Sequence, residues 1–492
     1  MNVELRGYQS AALDGLRTGF ASGARAQILY GPTGAGKTEM AISMMSAASA
    51  KGTRCAMILD RIVLVEQTSQ RLDRYGIDHG VLQAGHWRYR PHERIQVCSA
   101  QTLEKRGSFP GLQLLIVDEA HQTRDATRKF IDAHPGVKVV GLTATPFTKG
   151  LGKTYSGLVV PTTTEALVDA GNLVPLRVFA GRQIDMTGAQ KIAGEWSERD
   201  ATERGVRIVG DVVSEWVART HAIFGGPRKT IVFCAGVAHG KELAERFAEA
   251  GYNFIQVSYL DDGEFKRDAI AEFAKTDSSI HGLIATDILT KGFDVPDVMI
   301  GVSARPFSKS LSSHIQQMGR VMRSAPGKDF GLWIDHSGNY LRFADDWESI
   351  YSDGPGRLDD GRETPKTEPT DRQKIEAKCP ACGAIFGPRS DTCAHCGYVR
   401  QRRSKVIAET GELVEIVGSA ARGDRAEKQR LWSELLAFAC DRGYQRGWAS
   451  HKYRARFGCW PRNLRDDMLT PSASTIKFIR DEQAAWAKQR AA

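Results

Sequence analysis

Lys37 and Thr38 close the run Gly31-Pro32-Thr33-Gly34-Ala35-Gly36-Lys37-Thr38, whose composition is that of a phosphate cradle. Glycines at 31, 34 and 36, with Thr33 between them, let the backbone curl so that its N–H groups face phosphate oxygens. Lys37 then reaches the outer phosphates, and the Thr38 hydroxyl is placed to ligate Mg2+. Asp118-Glu119-Ala120-His121 supplies the acids such a site needs. Asp118 would hold the same Mg2+, and Glu119 would polarise an attacking water. Two acids after a strand also serve as a helix cap, but beside a complete phosphate loop hydrolysis is the better reading. Gln316-Gln317-Met318-Gly319-Arg320-Val321-Met322-Arg323 puts two arginines on one face if it is helical. Planar guanidinium groups suit the charge on a transferring phosphoryl group, and arginines so placed are worth roughly 10³–10⁵ in rate. Gln9, with Arg6 before it, offers an amide able to read an adenine edge. A second loop, Thr286-Asp287 followed by Lys291-Gly292-Phe293-Asp294, includes a glycine that allows close backbone approach to a ligand.

These residues need strands that end where a ligand binds. The apolar run Ile28-Leu29-Tyr30 precedes the phosphate loop, and a helical stretch follows it, adding its positive end. Strands are expected over 55–59, 95–98, 114–117 and 138–142, and again over 230–234, 254–258, 282–285, 298–302 and 331–335. Their near-continuous apolar character predicts parallel sheets covered by helices on both faces. Ligands bind at the carboxyl edge of such sheets, which is where the acids fall. The pattern therefore divides into a nucleotide-binding α/β domain (1–160), a connecting segment (161–214, with a helix near 195–200) and a second α/β domain (215–345). A linker (346–375) follows, then a cysteine module (376–400), a hairpin turning at Thr410-Gly411 (401–420) and a basic helical domain (421–492).

Nine cysteines are present, and four form matched pairs, Cys379-x2-Cys382 and Cys393-x2-Cys396. The spacing predicts a closed zinc site of four thiolates with no open position, hence a structural Zn2+. The alternative is a redox pair, which two matched knuckles disfavour. No apolar run is long enough to span a membrane, and the first residues lack the apolar stretch of a signal peptide, so a cytoplasmic protein is expected. The net charge of +9 is uneven: residues 1–370 balance 44 bases against 44 acids, whereas 421–492 carry 15 against 8. Such clustering favours a polyanion, most simply nucleic acid, over a merely soluble tail. Arg402 and Arg403, then Arg446, Lys452 and Arg454, are the candidate phosphate contacts there. Trp448 and Trp460 read as core of the helical domain rather than as stacking platforms.

The order Gln9, 31–38, 118–121, Thr143-Ala144-Thr145, 286–294 and 316–323 resembles superfamily 2 helicases of the DEAD/DEAH type over about the first 345 residues. The resemblance implies two tandem RecA-like P-loop NTPase domains with ATP between them, followed here by the zinc module and the helical domain. It makes Lys37, Asp118, Glu119, Gln316, Arg320 and Arg323 catalytic. It places Arg6, Gln9, Gly31, Thr33, Gly34, Gly36, Thr38, Gly292 and Asp294 around the nucleotide. Arg61, Gln101, Thr102 and Thr286 match segments that touch the nucleic-acid backbone. More narrowly, Gly141-Leu142-Thr143-Ala144-Thr145-Pro146-Phe147 and the four cysteines are similar to RadD-type bacterial DNA repair helicases. The chain departs from them in having Ala120 where that family usually has cysteine, and its tail looks more like those of phage-encoded helicases. The resemblance implies single-stranded, forked or branched DNA as partner, with replication or recombination proteins, and a monomer in solution. An RNA-remodelling ATPase and the translocating subunit of a restriction system are the alternatives. No nuclease signature accompanies the motor motifs, so in the latter case the nuclease would be a separate partner.

Overall fold

A computed structural model describes residues 3–106, 111–181, 207–209, 211–286, 295–307, 310–359, 396, 407–409, 413–416, 425–457, 461 and 464–480. Gly292, Asp294, Cys379, Cys382, Cys393, Arg402, Arg403, Trp460 and the helix expected near 195–200 lie outside them.

The first sheet is built from β1 (Ala26–Tyr30), β2 (Cys55–Leu59), β3 (Gly80–Leu82), β4 (Ile95–Ser99), β5 (Leu114–Val117), β6 (Lys138–Thr143) and β7 (Gly157–Val159). All pairs are parallel, in the order β3-β4-β2-β5-β6-β1-β7. Successive side chains of a strand point to opposite faces, and here both faces are apolar. Leu29, Met57, Val97 and Ile116 enter one core, while Ile28, Ile58, Cys98 and Leu115 enter the other.

The second sheet repeats the scheme. Its strands are drawn from β8 (Leu176–Gly181), β10 (Thr230–Cys234), β11 (Phe254–Gln256), β12 (Gly282–Ala285), β13 (Ile300–Ala304), β14 (Gly331–Asp335) and β16 (Leu413–Ile416), ordered β11-β12-β10-β13-β14-β8-β16. Phe233 and Trp333 face one core and Val232 and Ile334 the other. Trp216 is fully buried, edge-on to Phe247 and Phe254, and its indole N–H donates to Thr230 Oγ1 at 2.8 Å. A pair of short parallel strands, β9 (Arg207–Val209) and β15 (Ile407–Glu409), stands apart.

Three segments differ from the sequence-based division. Residues 176–181, within the expected connecting segment, form β8 and pair with β14, so the second domain begins earlier. Among the described residues the expected hairpin does not form. β15 pairs with β9, and β16 instead adds antiparallel to β8, fastened by Arg177 to both carboxylate oxygens of Glu415 at 2.9 and 3.1 Å. An unpaired edge at β8 has a full row of donors and acceptors to satisfy, which outweighs a local turn signal. The expected linker starts as a helix, Ala344–Asp353, that buries Trp347 and Ile350 in the second domain. The chain then returns to the first domain, where Gly152 N–H donates to the Asp359 carbonyl at 2.8 Å and Leu358 packs.

The C-terminal helices Arg425–Asp441 and Arg446–Phe457 share a core of Leu431, Trp432, Leu435 and Tyr453, with Trp448 half-buried against it. Lys428 ties them to the second α/β domain through Asp345 at 2.8 Å. Among the described residues, no helix is long and apolar enough to cross a membrane.

Candidate active site between two domains

Because every strand of the first sheet runs the same way, all its carboxyl ends open onto one edge. The loop after β1 arrives there between β1 and the helix Lys37–Ala50. Gly34 and Gly36 have φ of +92° and +74°, a left-handed conformation that glycine adopts without strain. Gly31 N–H donates to the Thr143 carbonyl at 3.1 Å, fixing the loop to the end of β6. The Lys37 ammonium folds back onto the Gly31 and Pro32 carbonyls at 2.9 and 3.4 Å. Burial pulls the Lys37 pKa down, while Glu119 and Asp118 push it up. A half-buried cation beside two acids on a glycine-rich loop suits a polyphosphate better than any neutral ligand.

Glu119 has φ of 48° and is the non-glycine residue with positive φ among those described. Such a conformation costs of order 1–3 kcal/mol and persists where the surroundings impose it. It aims the carboxylate into the cleft that Lys37, Thr38 and Asp118 also line. His121 Nδ1 lies 2.9 Å from Thr143 Oγ1 and 3.3 Å from Glu119 Oε2. The Gln316 amide N–H group reaches from the second domain to Glu119 Oε2 at 3.5 Å and His121 Nε2 at 3.4 Å. Because that amide donates, His121 Nε2 is the acceptor and its proton belongs on Nδ1.

The helix Leu311–Val321 carries the opposing wall. Arg320, Arg323 and Gln316 line the cleft opposite the phosphate loop. A Cβ added at Gly319 would stand 2.5 Å from Thr33 Cβ, so only glycine permits this closeness of the two domains. Leu173 forms a β-bridge with Arg323, and its side chain packs over Gly34. The cleft encloses about 330 Å³, at the lower end of small-molecule sites. Lys37, Thr38 and Asp118 on one side and two guanidinium groups on the other fit Mg-ATP. Thr38 and Asp118 would hold the metal, which supplies charge neutralisation of the phosphates.

Gln9 is placed differently from a simple adenine reader. Its oxygen accepts from Arg6 N–H at 2.9 Å and its amide nitrogen donates to the Ala35 carbonyl at 3.1 Å, bracing the loop. Tyr8 adds a second bond to the same carbonyl at 3.1 Å. Arg6, not Gln9, lines the cleft. Sequence reasoning passed over Gln67, Thr68 and Arg71, which line it from the helix Ile62–Arg74. With Leu64 they follow the i, i+3, i+4, i+7 spacing of one helix face, a signal visible in the sequence.

The candidate nucleic-acid contacts lie elsewhere. Arg61 caps the helix Ile62–Arg74 at the same sheet edge. Gln101 bridges the Ser99 hydroxyl at 2.8 Å and the Asp60 carbonyl at 3.2 Å, with Thr102 beside it on the following helix. Thr286 is buried, its hydroxyl 3.8 Å from Cys234 Sγ. Arg446 is engaged by Asp466 at 2.9 Å and stacks over Trp432. Lys452 lies on the helix Arg446–Phe457, as does Arg454, whose side chain is outside the description. No cluster able to hold a metal occurs among the described residues, of which Cys396 is the one zinc candidate, and it is exposed.

Residues 2–148 match the family model for the type III restriction enzyme res subunit, and residues 219–325 match that for the helicase conserved C-terminal domain. The putative HsdR subunit of a type I restriction enzyme from Vibrio vulnificus superposes with a TM-score of 0.55 at 20% identity, over 73% of this chain and 70% of that one. The Type ISP restriction-modification enzyme LlaBIII, bound to DNA, aligns with a TM-score of 0.49 at 17% identity, over 68% of this chain and 27% of that one. S. cerevisiae Dbp5 bound to RNA and ADP BeF3 aligns at 0.47 and 15%, over 71% and 93%. At 20% identity the likeness to the HsdR subunit is one of fold. A search of curated proteins finds no match.

Proposed function

We propose that this superfamily 2 helicase-like ATPase is a DNA translocase or helicase, coupling ATP hydrolysis to movement on or remodelling of DNA in repair, recombination or phage replication. The observation that carries the reading is the composite cleft. Lys37, Thr38, Asp118 and Glu119 come from one domain, and Gln316, Arg320 and Arg323 come from the other. Glu119 orients and deprotonates the attacking water, Lys37 and the loop amides bind the phosphates, and the arginines stabilise charge on the transferred group. Closure of the second domain completes the site, so hydrolysis and domain movement are linked.

DNA as the track is supported by the basic C-terminal quarter and by the RadD-like cysteine pairs. Cys379, Cys382, Cys393 and Cys396 form a structural Zn2+ module, whose folding the metal would drive. Gln9 braces the phosphate loop beside Arg6, and Gly292 and Asp294 complete the nucleotide site. The enzyme works as a cytoplasmic monomer with replication or recombination proteins. A second reading, the translocating subunit of a restriction system, is favoured by the family match over residues 2–148.

The test is ATP hydrolysis measured with single-stranded DNA, duplex, fork and single-stranded RNA. Single-stranded or forked DNA is expected to stimulate most. Strong stimulation by RNA alone would defeat the DNA reading, and duplex preference together with a copurifying nuclease would favour the restriction reading.

A further inference from the structure

Trp87 is the most exposed large apolar side chain among the described residues, at 73%. It lies in the 83–90 loop that leaves β3, an edge strand of the first sheet. This loop is not slack. Val81 N–H donates to the Arg88 carbonyl at 2.9 Å, and the Gln96 amide donates to the Arg90 carbonyl at 2.8 Å. The Arg88 guanidinium is held by Asp73, at 3.0 Å to Oδ2, and lies 2.9 Å from His79 Nε2, itself 2.7 Å from the Ser69 hydroxyl oxygen. That guanidinium stacks on the Trp87 ring, 4.6 Å from its centroid. An indole left in water on a loop braced by these bonds is a presented surface rather than a stray side chain.

Its neighbours indicate what it meets. His86 Nε2 lies 3.2 Å from Glu66 Oε2, which docks the loop on the first turns of the helix Ile62–Arg74. That helix starts beside Arg61 and exposes Ile62 at 60% and Val63 at 50%. The loop leaves the carboxyl end of β3, on the side of the sheet where Arg61 follows β2 and Gln101 and Thr102 follow β4. The Arg88 guanidinium lies over the ring while paired with Asp73, and Arg90 is exposed on the same loop, so cations accompany the indole. A flat ring beside cations is the arrangement that receives an unpaired base, because a paired base keeps its faces within the duplex stack.

We propose that the 83–90 loop is a binding site for single-stranded DNA, with Trp87 stacking on one unpaired base next to the backbone contacts at Arg61 and Gln101. This rests on the DNA reading above. The site grips the strand at the outer margin of the first domain, beyond the residues that the nucleotide touches.

The test compares binding of an oligothymidine strand and of an equal-length strand with abasic residues, by full-length wild type, Trp87→Ala and Trp87→Phe. Trp87→Ala is expected to weaken oligothymidine binding about 5- to 150-fold and to leave abasic binding near wild type. Trp87→Phe should retain most of the affinity, showing that the fold is intact. Wild-type affinity of Trp87→Ala for oligothymidine, or equal weakening on both strands, would overturn the proposal. Wild type binding neither strand would instead overturn the DNA reading on which it rests.

Discussion

Glu119→Gln is expected to lower nucleic-acid-stimulated ATP hydrolysis by roughly 10²–10⁴-fold, the usual worth of a positioned general base, while ATP still binds. The substitution keeps shape and removes only the charge and the ability to take a proton. Its neighbours should tolerate it: Gln316 and His121 approach Glu119 Oε2 at 3.5 and 3.3 Å, contacts that an amide oxygen can retain. The left-handed backbone at Glu119 is a stronger sign of its role than its place in the chain. A strained conformation at an acid that shares the cleft with a half-buried lysine is what a fixed base looks like. Single-turnover hydrolysis, with nucleotide binding measured on the same sample, separates the two effects. Turnover at the wild-type rate would remove Glu119 from the chemistry.

The second large effect belongs to Arg320. Arg320→Ala should cut turnover roughly 10³–10⁵-fold, with a much smaller change in nucleotide affinity. Arg320→Lys should recover only part, because an ammonium carries the charge without the planar fork. Arg320 is 8% exposed and reaches the cleft from a helix whose Gly319 sits against Thr33. Its distance from the phosphates is therefore set by how closely the two domains pack. Turnover in both variants within a few-fold of wild type would mean that the second domain does not complete the site. Loss of ATP binding in equal measure would mean that Arg320 binds the ground state instead.

The phosphate loop was legible because its meaning is local. Glycines, lysine and threonine at fixed spacing between a strand and a helix describe the same loop in any parallel sheet. The strands carrying Asp118 and Thr286 were legible for the same reason, since both their faces are buried and their sequences are continuously apolar. Residues 176–181 were not, because β8 finds β14 about 150 residues away, and nothing short-range announces a partner so distant. Residues 413–416 misled through a good turn signal, Thr410-Gly411, that the open edge of β8 overrode.

Within the site, sequence reasoning reached the charged groups and missed what holds them. Arg71 lies on a helix face whose spacing was readable, but its place in the cleft depends on Glu39, 3.4 Å away on the helix after the phosphate loop. Gly319 stood in a motif without an evident reason until Thr33 appeared opposite it. Gln9 looked free to read a base, yet both ends of its amide serve the loop backbone. Side-chain type revealed the chemistry in each case, and tertiary contact decided how each group is spent.

The central claim is that ATP hydrolysis in a cleft shared by two domains drives movement along DNA. Displacement of streptavidin from the end of a biotinylated single strand measures that movement directly. Wild type with ATP is expected to strip streptavidin at a rate that rises with ATP concentration, and Glu119→Gln should strip none. DNA-stimulated hydrolysis with neither streptavidin displacement nor strand separation from a fork would contradict the account.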